Sequence, residues 1–464
     1  MKLSLRDVVL CLNGEAYSGP DADRELLRVC TDSRAVAPGD LFFCLRGERF
    51  DAHDFAQTVA QAGAACIVAA RELPGLPCPV VVVDDTQKAL GRLARCWRDR
   101  FGAREGTRVV AVTGTAGKTT LKELLAQTLG GVLRVAKNHK NFNNQIGLPL
   151  SILSADGTED AWVMELGISQ PGDMDELGPI IAPDLAVVLN IGPAHLQGLG
   201  DLSGVARAKA SLLRHLAPGG RGLCCMDYPE LWTEAQALLP DVEGFSTKNS
   251  FAKYYARFEE TLSEGGGLYE VIMDGQAFWA ELPACGAHFA ENAAAVVGAC
   301  HMLGLDAERI ASGLAGANLP DQRFCCAESG CWRVVDDTYN ANPLSMRRSI
   351  EAARLLAGKE RLVLVLGDMK ELGPGAMEAH RELGAAIAAA APDSVFFQGE
   401  YAQAVAQGAP GVAVTRVDAP GQVLEALAGL SGGGTILVKG SRSCRMEEHA
   451  KALLAGLAHT GGRA

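Results

Sequence analysis

Residues 109–120 read VVAVTGTAGKTT and restrict the possible folds more than any other stretch of the chain. A β-branched apolar run, Arg108 to Val112, reads as a buried strand. A glycine-bearing turn follows, and Gly117-Lys118-Thr119-Thr120 opens a segment in which Leu121, Leu124, Leu125 and Leu129 share one helical face. Strand, turn and helix in that order make a phosphate cradle. Glycines let backbone N–H groups close around phosphate oxygens, a lysine adds a point charge, a threonine hydroxyl can ligate Mg²⁺, and the helix points its positive end inward. The common pattern has a glycine five positions before Gly117; here that residue is Val112, and Gly114 lies inside the loop instead.

The chain has 464 residues, enough for about three domains. Its 48% hydrophobic and 21% charged content is that of a globular protein. A net charge of -12 with no compensating basic stripe speaks against nucleic acid as a partner. Arg6 and Asp7 interrupt the N-terminal apolar residues, so no signal peptide is expected. No uncharged run approaches the ~18 residues of a membrane span. The fourteen cysteines are scattered without any C-x-x-C spacing and read as small, reduced core residues of a cytoplasmic protein.

Residues 1–103 read as a small α/β unit, with a loop from Thr31 feeding the strand Leu41 to Leu45, further strands at Cys66–Ala69 and Val80–Val83, and helical periodicity over Gln87–Phe101. Arg34, Arg46 and Arg49 could meet a diphosphate there. Residues 104–318 alternate strands at Arg108–Thr113, Ala161–Leu166 and Leu185–Asn190 with helices, which implies a mostly parallel, doubly wound sheet. Ligands on such sheets gather at the carboxyl ends of strands. Glu165, Asn190, His195 and the loop bearing Asn141, Asn143 and Asn144 are expected at those ends. Glu165 beside a phosphate loop is a natural Mg²⁺ ligand, and His195 could be another. Phe251–Leu282 reads as a strand-rich excursion from the sheet, and Lys209, taken alone, as an exposed helix lysine. Asn292, polar among alanines, could face a base or cap its helix. Residues 319–464 show strands at Trp332–Val335, Arg361–Leu366, Ser394–Phe397 and Thr435–Val438, a second doubly wound unit. Polar residues again follow the strands, which suggests an active site between the two units, closed by domain motion.

TDSR with PGDLFFCLRGERFDAHDF, TGTAGKTT, NFNNQIGLP, DDTYNANP, LGDMKELG and KGSRSCRME, in that order, resemble the motifs of the Mur ligase family over nearly the whole chain. The resemblance accounts for Val112. It implies an α/β fold of three domains: a small uridine-nucleotide domain, a central P-loop ATPase domain and a C-terminal Rossmann-like domain. The implied activity is ATP-dependent addition of D-alanyl-D-alanine to UDP-N-acetylmuramoyl-tripeptide through an acyl phosphate, by a cytoplasmic monomer. ATP would lie against Gly114, Thr115, Ala116, Gly117, Lys118, Thr119 and Thr120, with Asn292 at adenine, Arg323 on phosphate, Asp337 on ribose, and Tyr339 and Asn340 nearby. Thr119 and Glu165 would ligate one Mg²⁺. His195 would serve a second, beside Lys209 carbamylated by CO₂, and Lys118, His195 and Lys209 would be the catalytic group. Ser33 and Arg34 would contact the uridine nucleotide, and Asn143 and Asn144 would approach its peptide. At two positions the chain departs from the family's habits: Ala210-Ser211 after the lysine, and Gln322 where a glycine usually precedes the arginine.

A ligase of the same family that adds a diamino acid usually carries Asn-Pro-Arg where this chain has Asn342-Pro343-Leu344. A folate polyglutamate ligase would lack the uridine-domain motif. A GTP switch needs N-K-x-D, which the sequence lacks, and a simple kinase would not require two further domains.

Overall fold

The β-branched and leucine-rich runs become parallel strands, each fed back through a helix, because such runs bury both faces only when helices cover the sheet on either side. The computed structural model describes residues 3–13, 21–47, 49–102, 106–139, 141–262, 265–428, 430 and 432–458. Its first sheet has four parallel strands in the order Arg28–Cys30, Asp40–Phe43, Cys66–Ala69, Val80–Val82, beside a small antiparallel pair of Leu3–Ser4 with Glu25–Leu26. The expected boundary at 103/104 lies outside the described residues. Helical structure expected to Phe101 ends as an α-helix at Trp97 and passes into a π-helical turn, Arg98–Gly102.

The second sheet has nine strands: Gln276–Leu282, Gly267–Met273, Tyr254–Thr261, Glu243–Ser246, Arg221–Cys225, Leu185–Val188, Arg108–Thr113, Ala161–Glu165 and Val135–Lys137. The stretch expected to leave the sheet therefore extends it. Tyr254–Thr261 pairs in parallel with Glu243–Ser246, and two antiparallel strands complete that edge. The third sheet runs Cys325–Ser329, Trp332–Asp336, Gly434–Lys439, Arg361–Gly367, Ser394–Gln398, Val414–Arg416, all parallel except the first. Among the described residues no helix is long and apolar enough to cross a membrane.

The phosphate-loop strand divides two cores. Val110 and Val112 point to a cluster that continues through Phe289 and Ala293 into Met346, Ile350 and Leu437 of the third unit. Val109 and Ala111 point the other way, into a cluster shared with Leu41, Leu90, Leu93 and Trp97 of the first unit. Val112 pairs in register with Glu165 and is fully buried, which is what a valine contributes here and a glycine would not.

The cysteine expectation needs one correction. Cys11 and Cys96 form a disulfide joining the first helix of the chain to the helix Thr86–Trp97. These helices pack side by side and bring the two thiols together, a pairing invisible in spacings 85 residues apart. Of the free cysteines, Cys30, Cys44, Cys66, Cys224, Cys225, Cys285 and Cys300 are buried as expected, whereas Cys326 and Cys331 are exposed.

Candidate active site

A cleft of about 600 Å³ opens where the carboxyl ends of the second and third sheets face each other. Its floor is the phosphate loop. Gly117 turns the chain at φ +78°, a conformation that costs an L side chain about 1–2 kcal/mol. Two asparagines hold the loop from behind. The Oδ1 of Asn190, at the end of the neighbouring strand, accepts from the N–H groups of Thr115 (3.0 Å) and Ala116 (2.9 Å), and its Nδ2 donates to the Ala116 carbonyl (3.0 Å). Asn292 Nδ2 donates to the Gly117 carbonyl at 3.1 Å. Lys118 Nζ bends back onto the carbonyls of Gly114 (2.9 Å) and Thr115 (3.3 Å). Burial pushes its pKa down and the nearby Arg323 adds to this, while Glu165 opposes it.

Thr119 is the junction of the site. Its hydroxyl donates to Glu165 Oε2 (2.8 Å) and accepts from Arg323 Nη2 (3.0 Å), and Asn143 Nδ2 donates to Glu165 Oε1 (2.7 Å). Glu165 is buried at the end of its strand, where Asn138 closes both of its backbone groups. Arg323 also lies 3.8 Å over the Tyr339 ring, a cation–π contact that fixes the guanidinium at the mouth of the loop. Gln322, where a glycine is usual, adopts the left-handed conformation itself at φ +60°, so the bend is made without the glycine. Across the cleft Asp337 Oδ2 accepts from Lys439 Nζ (2.7 Å) and Ser349 Oγ (2.5 Å), and Lys439 also reaches the Asn340 carbonyl (3.0 Å).

His195 sits at φ +53° with its Nδ1 2.9 Å from Glu371 of the third unit. Burial lowers its pKa, with Lys209 the next cause. Lys209 corrects the reading of an exposed helix lysine. Its residue is 1% exposed on the inner face of the helix Leu202–Ala210, and its amine is pushed well below the ordinary lysine value by burial first and the Lys118 charge second. The leucines that follow it belong to the segment Ser211–His215, so their spacing does not report which side of the preceding helix is buried.

The structure thus brings Thr115–Thr120, Asn143, Asn144, Glu165, His195, Asn292, Arg323, Asp337, Tyr339 and Asn340 to one cleft. Lys209 stands behind its wall, within electrostatic reach of Lys118, Glu165 and His195. Ser33 and Arg34 lie on the first unit, away from this cleft, and Arg34 forms a bidentate pair with Asp32 at 2.9 and 2.8 Å. Further cleft residues carry polar groups that sequence reasoning assigned no role, among them Arg348, Ser349, Glu371 and Lys439.

A phosphate loop facing a second doubly wound unit across a polar cleft, with a third small unit attached, is the arrangement of a nucleotide-binding protein of three α/β units. Three family models match in sequence order: "Mur ligase family, catalytic domain" at residues 25–98, "Mur ligase middle domain" at 112–300 and "Mur ligase, glutamate ligase domain" at 322–442. The UDP-N-acetylmuramoyl-tripeptide–D-alanyl-D-alanine ligase of Bacillus subtilis is 34% identical, over 98% of this chain and 99% of its own length. A crystal structure of MurF from Acinetobacter baumannii superposes with a TM-score of 0.89 at 28% identity, covering 98% and 99% of the two chains. MurF ligase from Thermotoga maritima in complex with ADP gives 0.83 at 30% identity, covering 93% and 97%. The chain belongs to the Mur ligase family.

Proposed function

We propose that this chain is the ATP-dependent ligase that joins D-alanyl-D-alanine to UDP-N-acetylmuramoyl-tripeptide, acting as a cytoplasmic monomer. In this reading residues 1–103 hold the uridine end of the acceptor with Ser33 and Arg34, residues 104–318 hold the phosphates of ATP, and residues 319–464 cover the nucleoside. The observation that carries the chemistry is the Thr119 hydroxyl held between Glu165 and Arg323 at the mouth of the phosphate loop. The whole-length relatives named for this reaction support the substrates.

The residues fit Mg²⁺. Among the described residues no three His, Cys, Asp or Glu side chains cluster, so a tight all-protein cage is absent. One carboxylate and one hydroxyl beside a phosphate cradle are what a hard, reluctantly dehydrated cation takes, leaving phosphate and water to complete its shell. Thr119 and Glu165 would hold one ion, and His195 with Lys209 a second. Lys209 fits carbamylation, because CO₂ reacts with the unprotonated amine and burial depletes the protonated form. When bound, the metals would neutralise charge on the phosphoryl oxygens.

The tripeptide carboxylate attacks the γ-phosphorus, the bond to the β-γ bridging oxygen breaks, and ADP leaves an acyl phosphate. The free amine of D-alanyl-D-alanine then attacks the acyl carbon, a proton leaves the nitrogen, and phosphate departs from the tetrahedral intermediate. Two anions meet in the first step. Lys118, released from the carbonyls of Gly114 and Thr115 onto the phosphate, and Arg323, already oriented by its contact with Tyr339, supply the countercharge. Asn190 and Asn292 keep the loop amides aimed at the phosphates. Asn143 and Asn144, at the edge of Glu165, would receive the peptide of the acceptor. Asp337 would take the ribose and Tyr339 and Asn340 its surroundings, while the third unit excludes water from the acyl phosphate. The test is phosphate release from ATP and UDP-N-acetylmuramoyl-tripeptide with and without D-alanyl-D-alanine. Release that does not depend on the dipeptide refutes the assignment.

A further inference from the structure

Glu291 and Arg348 have no part in the scheme above, yet they form an ion pair across the interface of the second and third units, Nη2 to Oε2 at 2.5 Å, with 5% and 17% of their side chains exposed. Tyr228 completes the pair, its hydroxyl donating to Glu291 Oε2 (3.0 Å) and accepting from Arg348 (2.5 Å). Burial, with the Glu291 charge next, pushes the phenol pKa up, so it remains a donor.

The other oxygen of Glu291 faces the phosphate loop. Its Oε1 accepts from Asn190 Nδ2 at 2.5 Å, and Asn190 is the residue whose Oδ1 gathers the Thr115 and Ala116 amides. Asn190 is fully buried, and a flipped amide would set its oxygen against the Glu291 carboxylate. Glu291 therefore dictates which way Asn190 points. A carboxylate this buried that loses its cation is left with an uncompensated charge and draws in water, which loosens that hold.

Arg348 belongs to the helix Pro343–Ala357, which starts directly after the Asp337–Asn342 loop. The next residue, Ser349, donates to Asp337. One turn further on, Ala352 packs against Gly286, where a β-carbon would come within 3.0 Å of the alanine and φ is +115°. The start of the helix Ala287–Met302 can thus approach this closely only because residue 286 is glycine. That close approach seats Arg348 on Glu291 and Asp337 over the nucleoside side of the cleft together.

We propose that Glu291 and Arg348 are positioning residues that couple the seating of the third unit to the set of the phosphate loop: Arg348 fixes Glu291, Glu291 orients Asn190, and Asn190 aims the Thr115 and Ala116 amides. The inference rests on the reading of this cleft as the ATP site. Nucleotide is held at full strength only with the third unit in place, so ATP is not gripped by an open enzyme that would leave an acyl phosphate exposed to water.

The test is calorimetric titration of ADP into the full chain, alongside steady-state kinetics, for Glu291→Gln, Arg348→Met and the double variant. Each single variant is expected to weaken ADP and raise KM for ATP about tenfold, with KM for the uridine substrate unchanged, and the double variant to lose about tenfold and not a hundredfold. Arg348→Lys, which keeps the charge, recovers part of the loss and serves where Arg348→Met does not fold. Wild-type ADP affinity in either single variant, or losses that multiply in the double, overturns the coupling. No ADP binding by the wild-type chain overturns the nucleotide reading, and the coupling with it.

Discussion

Replacing Lys209 separates its chemical role from its packing. Lys209→Ala removes three methylenes, about 2.4 kcal/mol of apolar burial, and also removes an amine whose burial without a partner costs about 1–3 kcal/mol. The two nearly cancel, so the variant is expected to fold. Lys209→Met keeps the length and drops the amine, and its stability should equal or exceed that of the wild type. Both lose the group that would become a carboxylate-like ligand beside Lys118 and His195. Activity should fall at least on the order of 100-fold, about 2.7 kcal/mol in the barrier. The two variants differ in one respect. The alanine leaves room at a site 1% exposed and the methionine fills it, so formate or acetate should partly restore Lys209→Ala and leave Lys209→Met inactive. The assay is phosphate release in CO₂-depleted buffer with bicarbonate, formate or acetate added back, with thermal melts run beside it. Near wild-type turnover by a folded Lys209→Met, or wild-type activity indifferent to CO₂ removal, would refute the carbamate reasoning.

Glu165→Gln must turn its NH₂ toward either Thr119 or Asn143, both donors to the native carboxylate; that costs about 1–3 kcal/mol, and an anionic ligand is lost as well. Its Mg²⁺ requirement for phosphate release should rise sharply, and an unchanged Mg²⁺ titration would contradict the metal assignment. Asp337→Ala leaves the Lys439 ammonium, 3% exposed, without its carboxylate. Urea denaturation should report a loss of about 3–5 kcal/mol, and Asp337→Asn, which keeps an acceptor, distinctly less. Acid should destabilise the fold from the ordinary histidine range downward. His380 accepts the Met369 N–H at Nε2 (2.9 Å), and burial lowers its pKa, as it does those of His288 and His449. Below about pH 6.5 the unfolded chain binds more protons than the folded one, so stability present at pH 7 is lost as pH falls, by at most about 1.4 kcal/mol per pH unit for each such histidine. A melting temperature that is flat from pH 7 to 5 would contradict this sign.

Local pattern carried the sheets. Apolar runs such as Arg361–Gly367 and Gly434–Lys439 are short, β-branched and followed by polar turns, which is legible without tertiary information. The phosphate loop and the strand-end positions of Glu165 and Asn190 were legible for the same reason. The antiparallel edge formed by Tyr254–Thr261 and its neighbours was not, since alternation along a strand does not say which sheet it joins. Taken alone, Lys209 reads as exposed because its helix is short and Leu212 and Leu213 after it lie in a different segment; only the family resemblance marks it. Glu291 left a faint trace, a charge inside the run Ala290–Ala295, which is otherwise alanine and asparagine and entirely buried. Arg348 left none. Its partner is 57 residues away, and beside Arg347 nothing in the sequence marks which arginine turns inward.

The phosphate-loop strand, with Val109 and Ala111 in one core and Val110 and Val112 in the other, has a consequence for how the molecule comes apart. Each outer unit keeps a core of its own, around Phe42, Val59 and Ile67 in the first and Val363, Ile436 and Leu453 in the third, but packs its other face onto an opposite side of the same strand. Melting either interface removes the support from one side of residues 109–112 and so weakens the other. The chain should lose structure in a single cooperative calorimetric transition. Its thirds, expressed separately, should each be short of buried surface, so damage far from the cleft, in any of the three, removes acceptor binding and nucleotide binding together.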